Sequence, residues 1–156
     1  MAQLRETSAS AARPLPDEVV LSGPERPEGH TPMMLRTLGA CAVLVVGAVH
    51  LQQYLSGYNS ISIIGPLFLL NFVVATVIGL GLLVPAARLR AFHGLFALGG
   101  IGLSATAILF LLISEHQPLF GFHEHGYRAA ILIALAAEAV AVVTLAAFLV
   151  ARARRA

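Results

Sequence analysis

Hydrophobic residues in this chain fall in long blocks rather than alternating with polar ones, and short polar breaks separate the blocks. From Thr37 to Ala87 there is no Asp, Glu, Lys or Arg, nor is there from Ala91 to Ser114; from Ala129 to Ala151 the only one is Glu138. A helix needs roughly 20 apolar residues to cross about 30 Å of hydrocarbon. The two shorter blocks therefore each hold one span. The long block holds two, folded at Ser56-Gly57-Tyr58-Asn59-Ser60, its one stretch with turn chemistry. The spacing predicts spans at about 34–55, 61–84, 92–113 and 127–150. Pro85 ends the second, and Pro118 with Gly121 breaks the chain after the third. The expected fold is all-α: a four-transmembrane-helix bundle in which short links make successive helices antiparallel neighbours.

Residues 1–32 differ in kind. Pro14, Pro16, Pro24, Pro27 and Pro32 are mixed there with acids and arginines, and no helical stripe is present. Too little apolar surface exists to offset the entropy of ordering, so a disordered cytoplasmic tail is expected. No short apolar region with a cleavage site precedes the first span, which therefore acts as the targeting signal. Residues 33–151 form the transmembrane domain, and 152–156 a basic cytoplasmic C-terminus.

Composition agrees with this picture. Hydrophobic residues make up 58% of the chain and charged ones 12%, against about 25% charged in a typical soluble domain. All ten basic residues are arginines, and the formal charge of +2 excludes a nucleic-acid binder built on a basic face. Where the arginines lie sets the expected topology. Nine fall in the tail, in the connection between spans two and three, and at the C-terminus; Arg128 alone falls on the other side. That bias predicts a multi-pass plasma-membrane protein with both termini cytoplasmic.

Helices in lipid associate through close packing and hydrogen bonds, because lipid tails compete equally for apolar side chains. Candidate ridges are Asn71, Ala75 and Gly79 on the second span and Gly100 and Ser104, with Ala97 and Ala105, on the third. The fourth offers Ala130, Ala134, Glu138, Val142 and Ala146. Cys41 is expected to be a small buried hydrophobe.

The chemistry-bearing residues are few. Glu138 lies near the middle of the fourth span, where a carboxylate costs about 2.5–3.5 kcal/mol on insertion scales. It is expected to face the bundle, protonated or paired, with Asn71 or Ser104 as hydrogen-bond partner. His50 sits roughly 7 Å inside the outer end of the first span. His50, Asn71 and Glu138 form one candidate polar site. A second candidate is the outer rim, where His116, His123, Glu124 and His125 join His50. Imidazole with carboxylate suits zinc, copper or iron, and a haem held by two histidines is a narrower version. Interfacial placement of His, Tyr and Gln is the plain alternative for these residues. His93 is expected to snorkel at the cytoplasmic rim.

No nucleophile elbow, HExxH, phosphate-cradling loop or CxxC is present. Gly47-Ala48-Val49-His50-Leu51-Gln52-Gln53-Tyr54, Gly65-Pro66-Leu67-Phe68-Leu69-Leu70-Asn71 and Leu119-Phe120-Gly121-Phe122-His123-Glu124 resemble segments of small, uncharacterised four-helix integral membrane proteins of high-GC bacteria. The resemblance covers about residues 34–150. It implies the fold and the compartment, but no activity. The sequence thus points to a non-enzymatic accessory or interaction subunit in the lipid bilayer, as a homo-oligomer or a member of a membrane complex. The alternatives are a metal- or haem-handling redox protein using His50 and the outer His/Glu group, and a proton-coupled transporter component centred on Glu138.

Overall fold

The computed structural model describes residues 30–85, 91–118, 120–121 and 128–155. Four long helices account for nearly all of them: α1 (His30–Leu55), α2 (Ile64–Leu83), α3 (His93–His116) and α4 (Ala129–Ala153). All four are long and apolar enough to cross a membrane. A single 3₁₀ turn, Tyr58–Ser60, follows α1. The chain leaves α1 through Gly57, whose φ of 126° lies in a region that side chains with a Cβ rarely adopt.

The helix bounds follow the charge pattern to within a few residues. At the N-terminus α1 begins at His30, inside the stretch expected to be tail. Pro32 sits in its first turn, where a backbone N–H has no partner in any case. At the C-terminus α4 continues to Ala153, past the expected span and into the basic segment. The rest of the expected tail lies outside the described residues.

The helices run alternately up and down and form a ring in chain order. The most extensive contacts are α1 with α2 and α1 with α4; α3 packs on α4, and α2 and α3 touch least of the neighbouring pairs. One end of the bundle, the terminal end, holds the start of α1 and the end of α4. The other, the loop end, holds the 3₁₀ turn and the start of α4.

Packing differs sharply between these ends. Ala40, Val43, Leu82, Ala97, Ala141 and Leu145 are fully buried, joined by Ile78 and Phe148, and all lie from the bundle's middle to its terminal end. Small residues let α1 and α2 approach closely there. A Cβ on Gly47 would lie 2.9 Å from the Cβ of Ala75, and one on Gly79 would lie 2.5 Å from Leu44 Cγ. Large apolar side chains such as Leu38, Val77, Leu95, Leu98 and Val143 are exposed on the outside, as a lipid-facing surface requires.

Three expectations about faces are corrected. Cys41 is exposed on the outer face of α1, since Ala40, Ala42 and Val43 take the inward positions around it. Ala105 is exposed, while Ala97, Gly100 and Ser104 are buried as expected. On α4 the packed positions near the terminal end are Ala141, Leu145 and Phe148; Val142 and Ala146 are only half-buried. Ala, Leu and Val surround α4 on every side, so its helical phase is set by what packs against it rather than by its own pattern.

Gly47→Ala is expected to destabilise the bundle by about 1–3 kcal/mol through overpacking against Ala75. A Cβ on Gly102 meets nothing within 4 Å. Gly102→Ala is therefore expected to be neutral, or to stabilise by up to about 1 kcal/mol. Reversible unfolding in mixed micelles compares the two, and equal losses would contradict the packing described.

Candidate functional site

Between the filled core and the loop end the bundle is hollow. A cavity of about 300 Å³ is lined by all four helices and by Tyr58. Most of its wall is Leu, Val, Ile, Phe and Ala, and its polar members are His50, Gln53, Tyr58, Asn71, Thr106, Ser114 and Glu138. The expected ridge of α4 accounts for part of the space. Ala130, Ala134 and Glu138 face the cavity, so at this end the small residues leave room instead of closing it.

Glu138 and Asn71 form the deep end. At 1.5 Å per residue Glu138 is roughly 14 Å from the start of α4, close to the middle of the span. It is 2% exposed, and no described residue forms a hydrogen bond or ion pair with it. Asn71 is 9% exposed, and its Oδ1 is buried with no hydrogen-bond partner. The Ser104 hydroxyl is likewise buried and unpartnered. The expected bond from Glu138 to Asn71 or Ser104 is therefore not made. Asn71 and Glu138 share the cavity wall instead, which keeps both open to a third party.

Two nearby hydroxyls bond within their own helices. Ser114 Oγ donates to Leu111 O at 2.8 Å, and Thr76 Oγ1 to Phe72 O at 2.7 Å. His50 also turns to its own helix: Nδ1 lies 2.9 Å from Val46 O. A carbonyl only accepts, so Nδ1 carries the hydrogen and Nε2 remains able to accept or to ligate.

Aromatic rings close the loop end. The His50 ring packs on Phe68 with centroids 5.1 Å apart, and Tyr58 stacks on Phe68 at 4.9 Å. The Arg128 guanidinium donates to the Tyr58 hydroxyl and lies 5.6 Å from the ring centroid. Arg128, expected only to mark topology, thus ties the start of α4 to the 3₁₀ turn.

The sidewall is more open. Of the lining residues only Leu70 on α2 and Thr106 on α3 are exposed, Leu70 at 56%. They flank the least packed of the neighbouring helix pairs, beside Asn71. The cavity therefore has a lipid-facing window between α2 and α3.

The outer-rim group is only partly in view. His123, Glu124 and His125 lie outside the described residues. His50 lines the cavity, whereas His116 is exposed at the end of α3 with Nδ1 2.7 Å from Leu112 O. Among the described residues no three His, Cys, Asp or Glu side chains form a group able to hold a metal.

The sequence missed a second polar cluster, at the terminal end. His93 does not snorkel; it is 2% exposed. Its Nε2 lies 3.2 Å from Val84 O and donates to it, which leaves Nδ1 to accept from Arg36 Nη1 at 3.1 Å. Arg36, itself buried, so joins α1 to the start of α3 and the end of α2. The available signal was a histidine and an arginine at equal depth on two different spans. Nothing in either local stretch links them.

No known family model, curated protein or solved structure matches this chain.

Two outcomes distinguish these polar groups. His93→Leu removes the only acceptor Arg36 Nη1 has among the described residues, and is expected to cost about 2–4 kcal/mol. Glu138→Leu replaces a group without partners by an apolar one of similar size. It is expected to leave stability unchanged or to raise it by up to about 2 kcal/mol. Unfolding in mixed micelles reads both; a large loss in Glu138→Leu would show that the carboxyl holds the bundle together.

Proposed function

We propose that this chain is a multi-pass plasma-membrane protein that acts by binding: a non-enzymatic accessory subunit holding a small, largely apolar guest in its loop-end cavity. One observation carries this reading. In a bundle otherwise closed by packing, a cavity remains in which Glu138 and the Asn71 Oδ1 have no partner among the described residues. Buried polar groups in lipid are costly and by default functional. An apolar pocket with a few convergent polar groups is the usual form of a small-molecule site.

The lining residues favour binding over catalysis. The Ser114 hydroxyl and the His50 Nδ1 are each engaged by a backbone carbonyl of their own helix, so neither forms a nucleophile–base pair with the other. Binding is likewise favoured over conduction. Below Glu138 the fully buried Ala141, Leu145, Leu82 and Ala97 fill the bundle, which leaves Glu138 at the end of a closed pocket rather than midway along a path. The topology with both termini cytoplasmic rests on the arginine distribution.

Ala134→Phe places a ring in the cavity while keeping an apolar helix surface. Protein taken directly from membranes into lipid nanodiscs is expected to release a bound small molecule on extraction, in a yield at least tenfold lower for Ala134→Phe. Equal small-molecule profiles by mass spectrometry would overturn the reading. For topology, alkaline phosphatase fused after Ala156 is expected to be inactive, and a green fluorescent protein fused there to be bright.

A further inference from the structure

We propose that the guest is a membrane-dissolved molecule bearing a hydroxyl on an apolar body, that it enters sideways from the bilayer through the window at Leu70 and Thr106, and that it donates its hydroxyl hydrogen to an acceptor oxygen at the Glu138–Asn71 end of the cavity. The inference rests on the binding reading above and narrows it in two respects, the route and the chemistry.

The route follows from where the cavity is closed. Toward the terminal end the fully buried core blocks it. Toward the loop end Tyr58 covers it, stacked on Phe68 and held by Arg128. Both remaining exposed wall residues, Leu70 and Thr106, lie on the lipid-facing side where α2 and α3 are least packed. A molecule arriving there comes from hydrocarbon and must be soluble in it.

The chemistry follows from what the deep end lacks. The Asn71 Oδ1 can only accept a hydrogen bond, and it has none. A carboxyl group offers acceptor oxygens in either protonation state, and no described residue donates to Glu138. Glu138 and the Asn71 Oδ1 line the same cavity, and no described residue donates to either, so a guest that brings a donor meets unmet acceptors. A hydroxyl supplies one without bringing a charge into the hydrocarbon, where a cationic head would pay a large desolvation cost. The cavity's volume of about 300 Å³ is at the small end of ligand pockets, which suits a short apolar body or one whose tail trails out through the window.

The probes are farnesol and farnesyl methyl ether, which share an apolar body but differ in the donor. Each competes with a diazirine-bearing farnesol for photolabelling of the full chain in lipid nanodiscs, and mass spectrometry maps the label. The label is expected on residues 67–74 and 103–111. Farnesol is expected to compete about tenfold better than the ether, the difference one hydrogen bond to such acceptors makes. Asn71→Leu and Glu138→Leu are each expected to narrow that gap while keeping the label in place. Thr106→Trp is expected to slow labelling severalfold, and Tyr58→Ala to leave its rate unchanged. Equal competition by alcohol and ether, with the label still in the cavity, would overturn the donor chemistry and leave the binding reading standing. Faster labelling in Tyr58→Ala, with no effect of Thr106→Trp, would place entry at the aqueous loop end. A label that never reaches the cavity, or is unaffected by Ala134→Phe, would overturn both.

Discussion

A polar atom inside hydrocarbon has no water to turn to, so it bonds within the protein or lines a space that a partner can enter. Most of this bundle obeys the first alternative in the cheapest way. Ser114, Thr76, Thr144, His50 and His116 all reach a carbonyl three or four residues back on their own helix. Such bonds ask nothing of the neighbouring helices, which remain free to pack by shape. Helix association is then left to close contact at Gly47, Gly79 and Ala75, and the outer surface to Leu and Val.

Two places depart from that rule, in opposite ways. At the terminal end Arg36 Nη1 bonds to His93 across helices and His93 recruits the Val84 carbonyl, so polarity there serves as a joint, although the Arg36 Nε is buried without a partner. At mid-depth Glu138 and Asn71 satisfy no one and share a void. The two polar pairs, placed at different depths, thus differ in what surrounds them. Packed apolar side chains force the first pair together. Small residues on α4 and the loose α2–α3 seam leave the second pair facing an open space.

The parts of the fold that depend on one helix at a time were legible in the sequence. Charge-free blocks located four spans, and Ser56–Ser60 located the first turn. Glu138 stood out because a carboxyl in mid-span is rare whatever it touches. What depends on two helices was not legible. His93 looked like a rim residue because its partner Arg36 is 57 positions away. Cys41 and the α4 ridge were assigned the wrong degree of burial because helices that are apolar all round carry no preferred face. The cavity was invisible for a related reason. It is made by a gap between α2 and α3, and no residue pattern encodes the atoms that are missing.

The joint at Arg36, His93 and Val84 also fixes where the bundle can bend. It holds one end of α3, while the far end of that helix borders the loosest seam. From His93 to Thr106 the helix is a rigid arm of roughly 20 Å. A tilt of about 5° around its pinned end displaces the arm at Thr106 by roughly 2 Å. The arm thus turns a small rotation at the pivot into a displacement longer than a carbon–carbon bond at the window. Substitutions around His93, far from any guest, would reach the cavity by leverage alone.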